Sequence, residues 1–254
     1  LSSSSAASDV YKRQGINGWE FSVEGYYKDM RNVLEYKDGV SFFGSSSGWE
    51  NKVEMGKGRS AGIEFMAQKT AGKTTGWLSY TLSKSDRKFT KGGINNGEWF
   101  PYKYDRRHSI NLTINHKFSD RIDIGASWVF YTGGTSTIPE EKTTVIRPHN
   151  GANNGFLWYG TYDNTNSSPT IGDVSYIEHR NNFRLPASHR LNLGVNFNKK
   201  TKHGMRTWNI SLYNAYNAMN PAWVYRGHNK QGLSVIKKYT LLPLIPSFTY
   251  TYKF

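Results

Sequence analysis

From His108 onward, hydrophobic side chains fall at every second position of the chain. Ile110, Leu112, Ile114 and Phe118 share one face, while Ser109, Asn111, Thr113 and Asn115 share the other. Past Ser119-Asp120 the alternation resumes, with Ile122, Ile124, Ala126, Trp128 and Phe130 opposite Asp123, Gly125 and Ser127. A period of two marks a strand with one greasy and one wet face. Leu191, Leu193, Val195 and Phe197 repeat it against Asn192, Gly194 and Asn196, and Trp208, Ile210 and Leu212 continue it after a turn. Ile63, Phe65 and Ala67 pair in the same way with Leu78, Tyr80 and Leu82. A first strand over WEFSVEGYYKDMRNVLEY and a last over PSFTYTYKF bring the expected total to about eight antiparallel strands.

The connections between these strands are lopsided. Joins near 71–74, 119–120 and 199–203 take about two to five residues, whereas those near 38–56, 87–105, 133–187 and 216–240 take about 19 to 55. Short turns alternating with long loops are the mark of an outer-membrane barrel, turns in the periplasm and loops outside. That rule puts residue 254 at the periplasmic side. The fold class it predicts is all-β, an antiparallel transmembrane β-barrel.

Aromatic placement gives a separate line of support. With short turns in the periplasm, Trp19, Phe118, Phe197, Trp208 and Phe254 fall near the inner membrane–water boundary, and Trp128 and Phe130 near the outer one. Rings gathered at both strand ends make the two girdles expected at headgroup level. No run approaches about 20 apolar residues, so no spanning helix is predicted. The stretch Tyr239 to Phe248 is short and holds Pro243 and Pro246. A chain that crosses lipid without such helices must do so as a barrel.

Composition fits that picture. Aromatics are 15% of the 254 residues, yet the mean hydropathy is −0.67. The net charge of +14 suits an anionic surface. The lysines and arginines scatter through turns and loops without a base-reading motif, so lipopolysaccharide and outer-membrane lipid are expected partners and nucleic acid is not. The absence of cysteine excludes disulfides and thiolate metal sites. Residues 1–14, LSSSSAASDVYKRQ, resemble a translated sequencing-adaptor scar and are expected to be a non-native or disordered leader, with the barrel over 15–254.

GKGRSAGIEFMAQKTAGKTTGWLSYTLSKSDRKF, followed by YDRRHSINLTINHKFSDRIDIGASWVFYTGG, resembles the late barrel strands of TonB-dependent outer-membrane receptors, nearest those of Bacteroidota. SHRLNLGVNF, YNAYNAMNP and the terminal IPSFTYTYKF have counterparts there too. The resemblance covers about residues 16–254. It implies the last eight or so strands of a roughly 22-stranded, plugged barrel. The parent protein would take up a scarce or bulky nutrient, such as an oligosaccharide or siderophore, using TonB and a surface lipoprotein. Neither plug nor TonB box is in this chain, so the fragment is not expected to transport alone. In outer-membrane proteins an ending like Phe248, Tyr250, Tyr252 and Phe254 is the signal read by the barrel-assembly machinery.

No catalytic site, metal site or cofactor is expected. Asp105, His108 and Ser109 flank one strand start, but that spacing gives no nucleophile–base–orienter geometry. The histidines lack metal-ligand spacing, and DNTNSSPTIGD departs from the calcium-loop pattern. Candidate ligand-binding residues are loop aromatics set among amides and carboxylates: Trp99, Trp158, Tyr159, Tyr162 and Trp223. Such rings can stack on sugars or cap an aromatic siderophore; equally, they can pack loop against loop. The rival architectures are a self-contained eight-stranded barrel with an adhesion or anchoring role, and a barrel enzyme.

Overall fold

The computed structural model describes residues 4–37, 48–90, 93–139, 141–147 and 170–254. Strands β1 (Ser4–Ile16) and β2 (Trp19–Tyr36) form the first hairpin, and β3 (Val53–Lys69) and β4 (Thr74–Lys88) the second. β5 (Phe100–Pro101) is a two-residue spur on β4. It precedes the hairpin of β6 (His108–Lys117) and β7 (Ile122–Tyr131). The longest connection carries β8 (Thr135–Ser136), β9 (Glu141–Arg147), β10 (Thr170–Tyr176) and β11 (Phe183–Arg184). Then come β12 (Ser188–Thr201) and β13 (Gly204–Tyr213). The hairpin of β14 (Pro221–His228) and β15 (Ser234–Thr240) leads into β16 (Ile245–Lys253).

One ten-stranded antiparallel sheet organises the chain, in the order β1-β2-β3-β4-β6-β7-β12-β13-β16, with β5 beside β4. The nine long strands follow one another across the sheet in chain order. Among the described residues the sheet stays open, because β1 and β16 do not pair with each other. The β8–β11, β9–β10 and β14–β15 pairs stand off the main sheet at its long-loop end.

Ser4–Ile16 pairs with β2 from Ser4↔Arg31 to Ile16↔Trp19. The cause is the turn that follows it, Asn17-Gly18, with φ of 47° and 77°. Positive φ at both central residues is a type I′ turn, whose twist matches that of paired strands, and Asn-Gly is its strongest sequence signal. In consequence the outer edges of the described sheet are β1 and β16, and the long strands exceed the eight expected by one.

Short turns are held by local chemistry. At the β6–β7 turn, the Ser119 hydroxyl oxygen accepts from the backbone N–H groups of Arg121 (3.2 Å) and Ile122 (3.1 Å). Lys117 lies 3.0 Å from Asp120 across the same turn. That hydrogen bond, then the Lys117 charge and the charge of Lys200, hold the Asp120 carboxyl below its ordinary range. The pair therefore favours the folded chain above the ordinary carboxylate pKa, and its contribution fades as pH falls through the lowered value.

Close strand approach depends on two glycines. A Cβ on Gly76 would sit 2.1 Å from the Thr113 carbonyl oxygen, and one on Gly204 would sit 1.9 Å from that of Lys253. Backbone cannot yield as a side chain can. Gly204→Ala is expected to cost about 1–3 kcal/mol. It should raise amide exchange along β16 while leaving β6 and β7 protected. Unchanged exchange in β16 would contradict this geometry.

Candidate functional site

Register carries the apolar positions into continuous rows. Phe21, Ala67, Leu78, Leu112, Trp128 and Leu191 follow one another across β2, β3, β4, β6, β7 and β12. Nearer the short turns, Ile122 faces Phe197, Phe197 faces Trp208, and Trp208 faces Tyr250. The Trp208 ring sits 4.4 Å from Tyr250 and 5.0 Å from Phe248.

The ring positions expected as girdles all lie on this face. Trp19, Phe118, Phe197 and Trp208 are exposed, and Trp128 and Phe130 are half-buried. Trp19 stacks on Phe21 (6.0 Å), Trp128 on Phe130 (6.1 Å), and Phe118 meets His116 edge-on (4.4 Å). The Trp128 indole N–H also donates to the Tyr216 hydroxyl at 3.1 Å. From His189 to Phe197 a strand rising about 3.3 Å per residue runs about 26 Å. A tilt of about 35–45° shortens that to about 19–22 Å of height, most of the roughly 25 Å apolar band of an outer-membrane barrel.

The opposite face is wet and internally bonded. Asp123 accepts from the side-chain amides of Asn196 and Asn198, each at 2.7 Å. Asn196 in turn accepts from Asn209, and Asn198 from the Thr207 hydroxyl, also at 2.7 Å. One carboxylate thus anchors an amide ladder over β7, β12 and β13. Higher on this face the Arg190 guanidinium lies 4.4 Å over the Tyr213 ring and donates to its hydroxyl. Each row constrains the other, since alternation sends one out when the other goes in. Leu193→Arg, mid-strand on the apolar face, is expected to destabilise micelle-folded protein by about 2–4 kcal/mol. Ser127→Lys, on the polar face, should be close to neutral; equal costs in denaturant titrations would remove the distinction between faces.

At the long-loop end, charged groups knit three connections together. Asp105, 1% exposed, lies 2.6 Å from the Arg184 guanidinium and accepts from the Ser85 backbone N–H at 2.7 Å. Arg184 also donates to the carbonyls of Gly133 and Asp105. Glu35 receives Arg87 at 3.0 Å and Arg180 at 3.3 Å. Arg180 donates further to the Tyr36 carbonyl, and its backbone N–H reaches the Asn95 side chain at 2.7 Å. Beneath these pairs Phe89, Ile94 and Phe100 form a small buried core, with Val33 against it. Apart from Asp105, none of the charged members stands out in the sequence, because their partners lie 20 to 145 residues away. The one signal available was DRRH, whose Asp is buried here.

Candidate ligand residues fare unevenly. Trp99 lies under the Arg59 guanidinium (4.3 Å), and Trp223 stacks on Tyr239 (4.4 Å, 4° between planes). Trp158, Tyr159 and Tyr162 lie outside the described residues. The structure does not assemble Asp105 with His108 and Ser109. Asp105 is committed to Arg184, while the His108 ring shares a 2.9 Å hydrogen bond with the Tyr80 hydroxyl. No group of three potential metal ligands occurs among the described residues.

An apolar, ring-edged face, a polar face, and short turns alternating with long loops define the wall of a transmembrane barrel. A family model described as "TonB dependent receptor-like, beta-barrel" matches residues 10–226. The chain belongs to that family, a family of outer-membrane transport receptors. Among solved structures it resembles the ferric-catecholate import receptor Fiu from Escherichia coli K12 in its closed form, with a TM-score of 0.55 and 13% identity. That match covers 98% of this chain and 27% of the other, so the chain spans about a quarter of the receptor's length. No curated protein matches the sequence.

Removing Arg184 leaves the buried Asp105 carboxylate with the Ser85 N–H and the more distant Arg107 guanidinium at 3.7 Å. Arg184→Met is expected to cost about 3–5 kcal/mol, read as lost exchange protection around Ser85 and Gly134. Asp105→Asn in the same background should recover part of it. No recovery would mean that the pair is not what the arginine supplies.

Proposed function

We propose that the chain forms the last part of a receptor wall through which a scarce or bulky nutrient is drawn across the outer membrane with energy from TonB. The observation that carries this reading is the family match over 10–226, on a described sheet whose first and last strands do not pair with each other. A self-contained eight-stranded barrel would need a seam between those strands, and the described sheet has none.

The roles of individual residues follow from position. Rings of the long loops, Trp99 and Trp223 with Trp158, Tyr159 and Tyr162, are proposed to meet the nutrient outside the membrane. The first two already have ring or guanidinium partners, which favours a fixed stacking shelf over free side chains. Phe248, Tyr250 and Tyr252 share the apolar face of an edge strand and lead to Phe254, an arrangement suited to capture by the barrel-assembly machinery. Lipopolysaccharide is proposed to surround the wall, and a surface lipoprotein to work beside the parent receptor.

The test uses a receptor gene that includes this chain, expressed in cells with and without TonB. Accumulation of a ferric catechol complex or a fluorescent maltooligosaccharide is measured in both. Uptake is expected to fall to background without TonB. Uptake that survives its loss would sink the energised reading.

A further inference from the structure

Above the apolar rows, on the same face, the register lines up three cations. Arg31 on β2 faces Lys57 on β3, and Lys57 faces Lys88 on β4. Directly opposite residues have Cβ atoms about 4.5–5.5 Å apart, and like charges so placed destabilise a sheet. None of the three has an ion-pair or hydrogen-bond partner among the described residues. One register below, Arg59 faces Asp29 and Asp86, and Lys84 comes within 3.4 Å of Asp86. The Arg59 and Lys84 side chains keep 42% and 51% of their surface in solvent. Five cations therefore meet two carboxylates, and the surplus lies in the uppermost row.

The parity of the strands fixes which way this row looks. Gly58, next to Lys57, has the Met30 and Val33 side chains over the opposite face. Ile63 and Phe65, six and eight residues below Lys57, are exposed on the apolar face. Arg31 stands twelve residues above Trp19, the ring at the inner boundary, about 40 Å along the strand, or about 28 Å of height at a 45° tilt, just past the roughly 25 Å apolar band. That is where the headgroup layer begins, since it adds about 5–8 Å to each side of the hydrocarbon core. Long basic side chains can bend toward it along the sheet surface.

We infer that Arg31, Lys57 and Lys88 form a docking row for the phosphate groups of a glycolipid in the outer leaflet. The inference rests on the outer-membrane barrel reading and adds a partner and an address to it. Charge complementarity selects the occupant. A neutral sugar leaves the stacked like charges unrelieved, whereas a bisphosphorylated headgroup relieves all three and can seat its acyl chains on Tyr27, Ile63 and Phe65 below.

The test folds a receptor that includes this chain in neutral detergent micelles and titrates bisphosphorylated lipid A, dephosphorylated lipid A and sodium pyrophosphate. Folding is read first, from amide protection of β6 and β7; a receptor left unprotected there overturns the membrane reading itself. In folded protein, the triple variant Arg31→Gln, Lys57→Gln, Lys88→Gln is expected to bind lipid A about tenfold or more weakly. A charge-matched control, Lys202→Gln, Lys230→Gln, Lys237→Gln, should stay within about twofold, because its lysines lie off the row. Without lipid A the triple variant should be at least as stable as the parent, since three like charges have gone. Unchanged lipid A binding in that variant overturns the docking row. Equal affinity for pyrophosphate or for dephosphorylated lipid A overturns the phosphoglycolipid assignment.

Discussion

Backbone pairing in a medium without water is the constraint on which everything else in this molecule rests. In hydrocarbon an unpaired N–H or C=O costs several kcal/mol, so a spanning strand must be bonded on both edges. Pairing sets the register, and register decides which side chains share a row. The row Phe21, Ala67, Leu78, Leu112, Trp128 and Leu191 is a product of five separate ladders that agree. A slip of one residue in any of them would turn leucines toward water and asparagines toward lipid.

The polar face depends on the same constraint from the other side. Asp123 finds Asn196 and Asn198 because β7 and β12 are in register, and Asn209 and Thr207 extend the ladder because β13 is too. Glycine serves register as well: at Gly76 and Gly204 a neighbouring carbonyl occupies the space a methyl group would need. Between the wet ladder and the greasy rows, each strand is specified twice over.

Legibility in the sequence followed how local each cause is. Period-two alternation is local, so the hairpins around 108–131 and 190–212 could be read directly, faces included. The Asn17-Gly18 turn was just as local. The pairing it closes is not local in composition, since the serine- and alanine-rich run before it carries no alternation of its own. The loop-end charges were illegible for a physical reason. Glu35 acquires Arg87 and Arg180 through strand register and loop closure, and nothing near residue 35 announces either partner. Trp99 was visible as an aromatic in a loop, but the Arg59 guanidinium above it belongs to a strand forty residues earlier.

The segment from Arg180 to Arg184 has an evolutionary consequence. It lies in the longest connection, yet its two guanidiniums satisfy Glu35 from the first long connection's strand and Asp105 from the second. Swapping that connection for one from another receptor would take a guanidinium from both carboxylates at once. Diversification of this surface is therefore expected to proceed by coordinated replacement, three inserts inherited as one block, and chimaeras that trade a single insert should be selected against.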